Sequence, residues 1–170
     1  LLIADPGLAD LVGELLALVP SIERVVFFCD GASLPETAYP ALAFDDWIAP
    51  FPAEYAWGQF DENTACGLCY TSGTTGNPKG VLYSHRSNYI HALMTLQRDA
   101  LGLSARDTVL LVVPMYHANA WGVVFSAPAV GAKLVLPGQR MDGESIYNLI
   151  ESEGVTYSAA VPTVWQMLLQ

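Results

Sequence analysis

The run YTSGTTGNPKG, from Tyr70 to Gly80, gathers residue types that hold phosphate. Gly73, Gly76 and Gly80 lack a Cβ, so the backbone can turn inward and present its N–H groups to an anion. The hydroxyls of Thr71, Ser72, Thr74 and Thr75 add donors or meet a metal ion. Lys79 supplies a point charge suited to phosphate. A bare Gly/Thr surface turn shares this composition, but it lacks the lysine and the flanking elements. The run is not a Walker loop, because Lys79 is followed by Gly80 and Val81 rather than by Ser or Thr. The dinucleotide fingerprint G-x-G-x-x-G is absent too.

Positioning such a loop takes a strand on one side and a helix on the other. CGLCY reads as a strand, and SHRSNYIHALMTLQRDAL reads as a helix over 84–101 with Ser84 as its N-cap. The spacing therefore predicts strand, loop, helix. Upstream, Leu8, Leu11, Val12, Leu15, Leu16 and Val19 repeat at helical spacing. LLIAD and RVVFFC (24–29) read as strands. Residues 30–62 carry prolines at 35, 40, 50 and 52 and read as irregular, with a short helix at AFDDWIA. Downstream, TVLLVVP, KLVLP and VTYSAAV read as strands. They alternate with an apolar helix over WGVVFSAPAVGA and with a helix over DGESIYNLIESEG, capped by Asp142 and ended near Gly154. The alternation predicts an α/β fold, a largely parallel sheet flanked by helices. The expected organisation is one region over 1–170, with a less regular part over 1–62 and a core over 63–170.

Three stretches together resemble the adenylate-forming superfamily, which contains acyl-CoA synthetases, luciferases and the adenylation domains of peptide synthetases. They are YTSGTTGNPKG, then VVPMYHANAWGVVFSAPAVGAKLVLPG (Val112 to Gly138), then GVTYSAAVPTVWQMLLQ (Gly154 to Gln170). HANAW and VPTVW resemble the bacterial medium- and long-chain fatty acyl-CoA synthetase branch. The resemblance is strong from about Asp61 onward and looser before it. It implies an internal fragment of the large N-terminal domain of such an enzyme, inactive in isolation.

The resemblance also implies a two-step reaction. A carboxylate attacks the α-phosphate of ATP, giving an acyl-adenylate and pyrophosphate, and coenzyme A thiol then attacks the activated carbonyl. Thr71, Ser72, Gly73, Thr74, Thr75, Gly76 and Lys79 match the ATP-phosphate loop. Thr71 matches a position that contributes to a Mg²⁺ site, whose carboxylate partner would lie beyond Gln170. His117 matches the histidine beside the reacting carboxylate. By itself, a histidine after an apolar strand is more often a hydrogen-bonded structural residue, and the motif context reverses that reading. His117, Trp121, Pro162 and Thr163 match the acyl-binding wall, with Trp121 as a gate on the acyl tunnel. Core packing is the other reading of Trp121, Pro162 and Thr163. His85 and His91 read as structural.

Composition sets the outer limits. The chain has 170 residues, a hydrophobic share of 52%, a charged share of 14% and a net charge of −10. Dispersed negative charge argues against a nucleic-acid partner, which needs basic stripes. No apolar run approaches the ~18 residues of a membrane span. No secretory leader is evident, which fits a cytoplasmic enzyme, and a homodimeric parent is a separate expectation. Cys66 and Cys69 form a C-x-x-C running into a strand rather than opening a helix, and with Cys29 they read as buried, reduced packing residues. An amino-acid substrate would need a carboxylate facing its ammonium, and PMYHANAWGVVFSA contains none. That favours a fatty acid. The competing readings are an adenylating enzyme for another carboxylic acid and a non-catalytic nucleotide- or acyl-binding module.

Overall fold

The computed structural model describes residues 1–71 and 76–169. It is α/β, with helices flanking parallel sheets, and it divides into two compact units, Leu1–Gly58 and Gln59–Gln170.

The first unit is a small parallel sheet of β1 (Leu2–Ala4), β2 (Val25–Phe27) and β3 (Ala41–Ala43), in that order. The fully apolar β2 is its buried centre. Helix α1 (Ala9–Leu18) covers the sheet with Val12 and Leu16, which pack on Val25 and Phe27. The Tyr39 hydroxyl donates to Ala9 O (2.6 Å) and ties the irregular segment to this helix. The short helix α2 (Phe44–Ile48) lies where AFDDWIA predicts it.

The second unit opens with β4 (Ala65–Thr71) and β5 (Lys79–Ser84). These form an antiparallel hairpin, with Thr71 opposite Lys79 and Leu68 opposite Leu82. The expected strand–loop–helix is therefore strand–loop–strand–helix. A parallel crossover takes about a dozen residues or more, and the segment between Thr71 and Lys79 is too short for one. The pairing is irregular at Cys66, between Ala65 and Gly67.

Helix α3 (His85–Thr95) follows at once. Ser84 Oγ accepts from Ser87 N–H (3.1 Å) and Ser87 Oγ accepts from Ser84 N–H (3.0 Å), a reciprocal capping box. The helix ends at Thr95, short of the expected 101. There the Thr95 hydroxyl donates to Ala92 O (2.9 Å) and the Gln97 amide donates to Leu93 O (3.1 Å). The Gln97 amide takes the carbonyl that its own N–H would bond in a further turn, and that N–H turns to Met94 O instead (3.2 Å).

The remaining elements build a parallel sheet of β7 (Lys133–Val135), β6 (Thr108–Leu110) and β8 (Tyr157–Ser158), with β6 in the centre. Alternation through TVLLVV explains the layers. Val109, Leu111 and Val113 pack with Ala127 and Val123 of α5 (Val123–Ala129). Leu110 and Val112 pack on the other side with Ile146 of α6 (Gly143–Glu153). Val164 and Leu168, in and just after α7 (Pro162–Met167), close that second cluster. Asp142 caps α6 by accepting from Ser145 N–H (2.9 Å), and Gly154 ends it at φ 63°. Pro128 falls in the last turn of α5, so it stops the helix rather than kinking it. The predicted start of this helix at Trp121 is moved to Val123 by a left-handed turn.

Candidate active site

Two strand ends in the second unit carry the candidate residues. At the hairpin end, Thr71 and Lys79 stand opposite one another and both are exposed. Thr71 Oγ1 donates to Lys79 O (3.4 Å), so the hydroxyl is held at the loop's mouth. Gly76 has φ 115°, and no described atom lies within 4 Å of where its Cβ would stand. Ser72, Gly73, Thr74 and Thr75 lie outside the described residues.

The second strand end follows β6. The chain runs through the buried Val112 and Val113, turns at Pro114, and closes with His117 N–H donating to Pro114 O (3.0 Å). His117 is exposed, with extended backbone at φ −96°. The next four residues are left-handed: Ala118 (φ 46°), Asn119 (53°), Ala120 (51°) and Trp121 (57°), followed by Gly122 (75°). L-residues resist this geometry by about 1–2 kcal/mol each. Packing holds the turn in place. Ala120 is fully buried against the β6–α5 core. Gly122 lies against His91 of α3 so closely that a Cβ would stand 2.6 Å from the His91 Nδ1. The Cys69 thiol of β4 donates to Asn119 Oδ1 (3.5 Å).

Trp121 forms a wall between two spaces. On the α3 side is a cavity of about 300 Å³, whose lining includes Tyr83, Asn88, His91 and Phe125. On the sheet side is an apolar void of about 10 Å³ bordered by Val109, Val113, Tyr157 and Ala159. Burial pushes the Tyr157 hydroxyl pKa above its ordinary value. A second cavity of about 420 Å³ shares Asn88 and Phe125 with the first and continues along α3 past Tyr89, Leu93 and Leu96. Among the described residues, no carboxylate lines either cavity on the α3 side.

The structure thus brings Thr71 to Lys79, and His117 to the turn that bears Trp121. Pro162 and Thr163 are exposed at the start of α7, after β8, and line neither space that Trp121 borders. They share with His117 only the carboxyl edge of the β7–β6–β8 sheet, where ligands of such sheets bind. Among the cysteines, Cys66 departs from the expected burial. It is exposed and accepts from Asn88 Nδ2 (3.1 Å), because the irregular pairing at this residue leaves it without a cross-strand partner. Cys69 and Cys29 are half-buried, and all three thiols are free. His85 stacks beside Phe60, their ring centres 4.5 Å apart. Asn119 was invisible to sequence reasoning. Its one signal was its type, since asparagine is among the few residues that visit left-handed backbone readily.

Thr71 offers a magnesium ion a single oxygen. Among the described residues there is no grouping of three or more His, Cys, Asp or Glu side chains that could hold a metal. No helix is long and apolar enough to cross a membrane among the described residues.

The family profile described as AMP-binding enzyme matches residues 14–170. A medium-chain-fatty-acid–CoA ligase from Ectopseudomonas oleovorans is 50% identical over 166 residues, 97% of this chain and 30% of its own. A 3-methylmercaptopropionyl-CoA ligase from Ruegeria lacuscaerulensis is 53% identical over 131 residues, 76% of this chain and 24% of its own. The chain thus spans less than a third of the length of these relatives. An anthranilate CoA ligase in complex with anthranoyl-AMP superposes with a TM-score of 0.84 at 26% identity, over 98% of this chain and 32% of its own.

Proposed function

The chain belongs to the AMP-binding enzyme family, and on that premise we propose that the protein it comes from is an AMP-forming acyl-CoA ligase acting on a medium- or long-chain fatty acid. The observation that carries the substrate class is that, among the described residues, no carboxylate lines the cavity beside Trp121, and that the neighbouring cavity runs along α3 over Leu93, Leu96 and Phe125. An uncharged acyl chain suits such a lining, and a zwitterionic amino acid does not. The name of the Ectopseudomonas relative supports the same class.

In this reading the acid's carboxylate oxygen bonds to the α-phosphorus of ATP as the bond to pyrophosphate breaks. The thiol sulfur of coenzyme A then bonds to the carbonyl carbon as AMP leaves. The first step builds charge on phosphoryl oxygens and calls for fixed donors rather than covalent help. Lys79, Thr71 and the Ser72–Gly76 segment are the proposed donors. His117 orients the reacting carboxylate. Trp121 gates the space for the chain, and Pro162 and Thr163, outside the lining of that space, are proposed to face the acid from the next strand end. The Thr71 hydroxyl would help to hold Mg²⁺, which would supply charge neutralisation at the phosphates. We read residues 1–170 as one stretch of the AMP-binding region. Assembly as a homodimer and a cytoplasmic location belong to the same proposal and rest on resemblance.

The experiment is acyl-CoA formation by the full-length protein from ATP, coenzyme A and a panel of acids. Fatty acids of medium or long chain should give the highest kcat/KM. A preference for 3-methylmercaptopropionate or an aryl acid would move the substrate to that class. Nucleotide binding without turnover on any acid would favour a binding module.

A further inference from the structure

We propose that Asn119 is a positioning residue, keyed to Cys69, that couples the strand entering the Thr-rich loop to the turn bearing His117 and Trp121. The proposal rests on the adenylation reading above. Three observations point to it. Four consecutive non-glycine residues, Ala118 to Trp121, hold left-handed backbone between the two candidate side chains. Such geometry persists only where the surroundings over-determine it. The turn's only described hydrogen bond to β4 is the Cys69 thiol donating to Asn119 Oδ1 at 3.5 Å. Cys69 itself lies two residues before Thr71 on the strand that enters the loop.

The chemical consequence is geometric. If the turn slid relative to β4, His117 would move against the phosphates that Thr71 and Lys79 are proposed to hold. Misplacement of about 1 Å at a reacting pair costs up to about a hundredfold in rate. The other anchor, Gly122 against His91, fixes the turn to α3 but carries no link to the hairpin's loop-bearing strand.

The test uses four variants of the full-length protein. Asn119→Gly keeps the left-handed backbone and removes Oδ1. Cys69→Ala removes the donor, Cys69→Ser restores it as a hydroxyl, and the last combines Asn119→Gly with Cys69→Ala. Acid-dependent ATP–pyrophosphate exchange is expected to fall about tenfold in kcat for either single loss, with the KM for ATP held within about twofold. The double variant should be no worse than the singles, because both remove one interaction. Cys69→Ser should recover most of the rate. Additive losses, or a Cys69→Ser protein as impaired as Cys69→Ala, would overturn the proposal.

A second readout is independent of turnover: the alkylation rate of Cys69 followed by peptide mass spectrometry. Asn119→Gly should speed it several-fold. Asn119→Asp, which keeps the shape but puts a carboxylate beside the thiol, should slow it by disfavouring the thiolate. Equal rates in all three proteins would overturn the contact. A protein that shows these shifts but no exchange on any acid would retain the Cys69–Asn119 key and defeat the adenylation reading.

Discussion

The loops that follow Thr71 and Val113 both leave right-handed backbone, and for opposite reasons. In the first, a glycine does it in open space: Gly76 sits at φ 115° with no described atom within 4 Å of its absent Cβ. In the second, alanine, asparagine and tryptophan do it under compression, with Ala120 fully buried and Gly122 pressed on the His91 ring. A glycine with room around it leaves space for something else to approach the backbone. Left-handed backbone at residues other than glycine shows instead that tertiary packing has overruled local preference. Among the described residues Gly76 leaves room at the end of the hairpin, whereas the second turn holds its side chains in a fixed place.

Breaking the packed turn should cost most. Gly122→Ala adds a Cβ 2.6 Å from His91 Nδ1 at a residue with φ 75°. Left-handed strain and overpacking together are expected to remove about 2–5 kcal/mol of stability. Thermal unfolding of the full-length protein checks this, and an unchanged Tm would mean the turn is not compressed there. Trp121→Ala separates gate from core at the same turn. A gate predicts about a tenfold fall in kcat/KM for short acids and little change or a gain for long ones. A core residue predicts uniform loss with about 3–5 kcal/mol of destabilisation.

The open loop should yield less. Gly76→Ala meets no described neighbour, so its stability cost should be only the backbone term, about 1 kcal/mol. A cost matching that of Gly122→Ala would erase the contrast between the loops.

The smallest effect concerns neither loop and serves as a baseline for the second unit. The Ser104 hydroxyl and N–H, with the Thr156 hydroxyl, donate to Asp107 and hold its carboxyl below the usual range. A depressed folded pKa contributes stability that is present above the ordinary carboxylate value and is lost as pH falls through the lower folded value. Asp107→Asn should therefore flatten the acid-side decline of Tm below about pH 4 while lowering Tm slightly at neutral pH. An unchanged acid limb would remove Asp107 from the pH response.

Legibility in the sequence followed the same division. Periodicity and caps located α1, α3 and α6, because Ser84, Asp142 and Gly154 act through local geometry that residue type alone decides. TVLLVV was legible as a strand, and the structure covers it on both faces. The hairpin partner β5 was missed because KGVLYS is short and lies against the helix cap, so its pairing with β4 is a tertiary outcome. The left-handed turn was missed for a related reason. HANAW contains helix-compatible residues, and only contacts with Cys69, His91 and the β6 core impose its handedness. Within the candidate site, the types at Thr71, Lys79, His117 and Trp121 were readable. Their supports, Asn119 and Gly122, were not.

Fatty-acid-dependent ATP–pyrophosphate exchange in the full-length protein, compared with its Lys79→Ala variant, tests the proposed adenylation most directly. Lys79 is exposed at the loop's mouth, so its loss should leave Tm unchanged. Exchange in the wild type is expected to rise with a medium- or long-chain acid and to fall about a hundredfold, ~3 kcal/mol, in the variant. Wild-type exchange in Lys79→Ala, or none in the wild type with any acid, would contradict it.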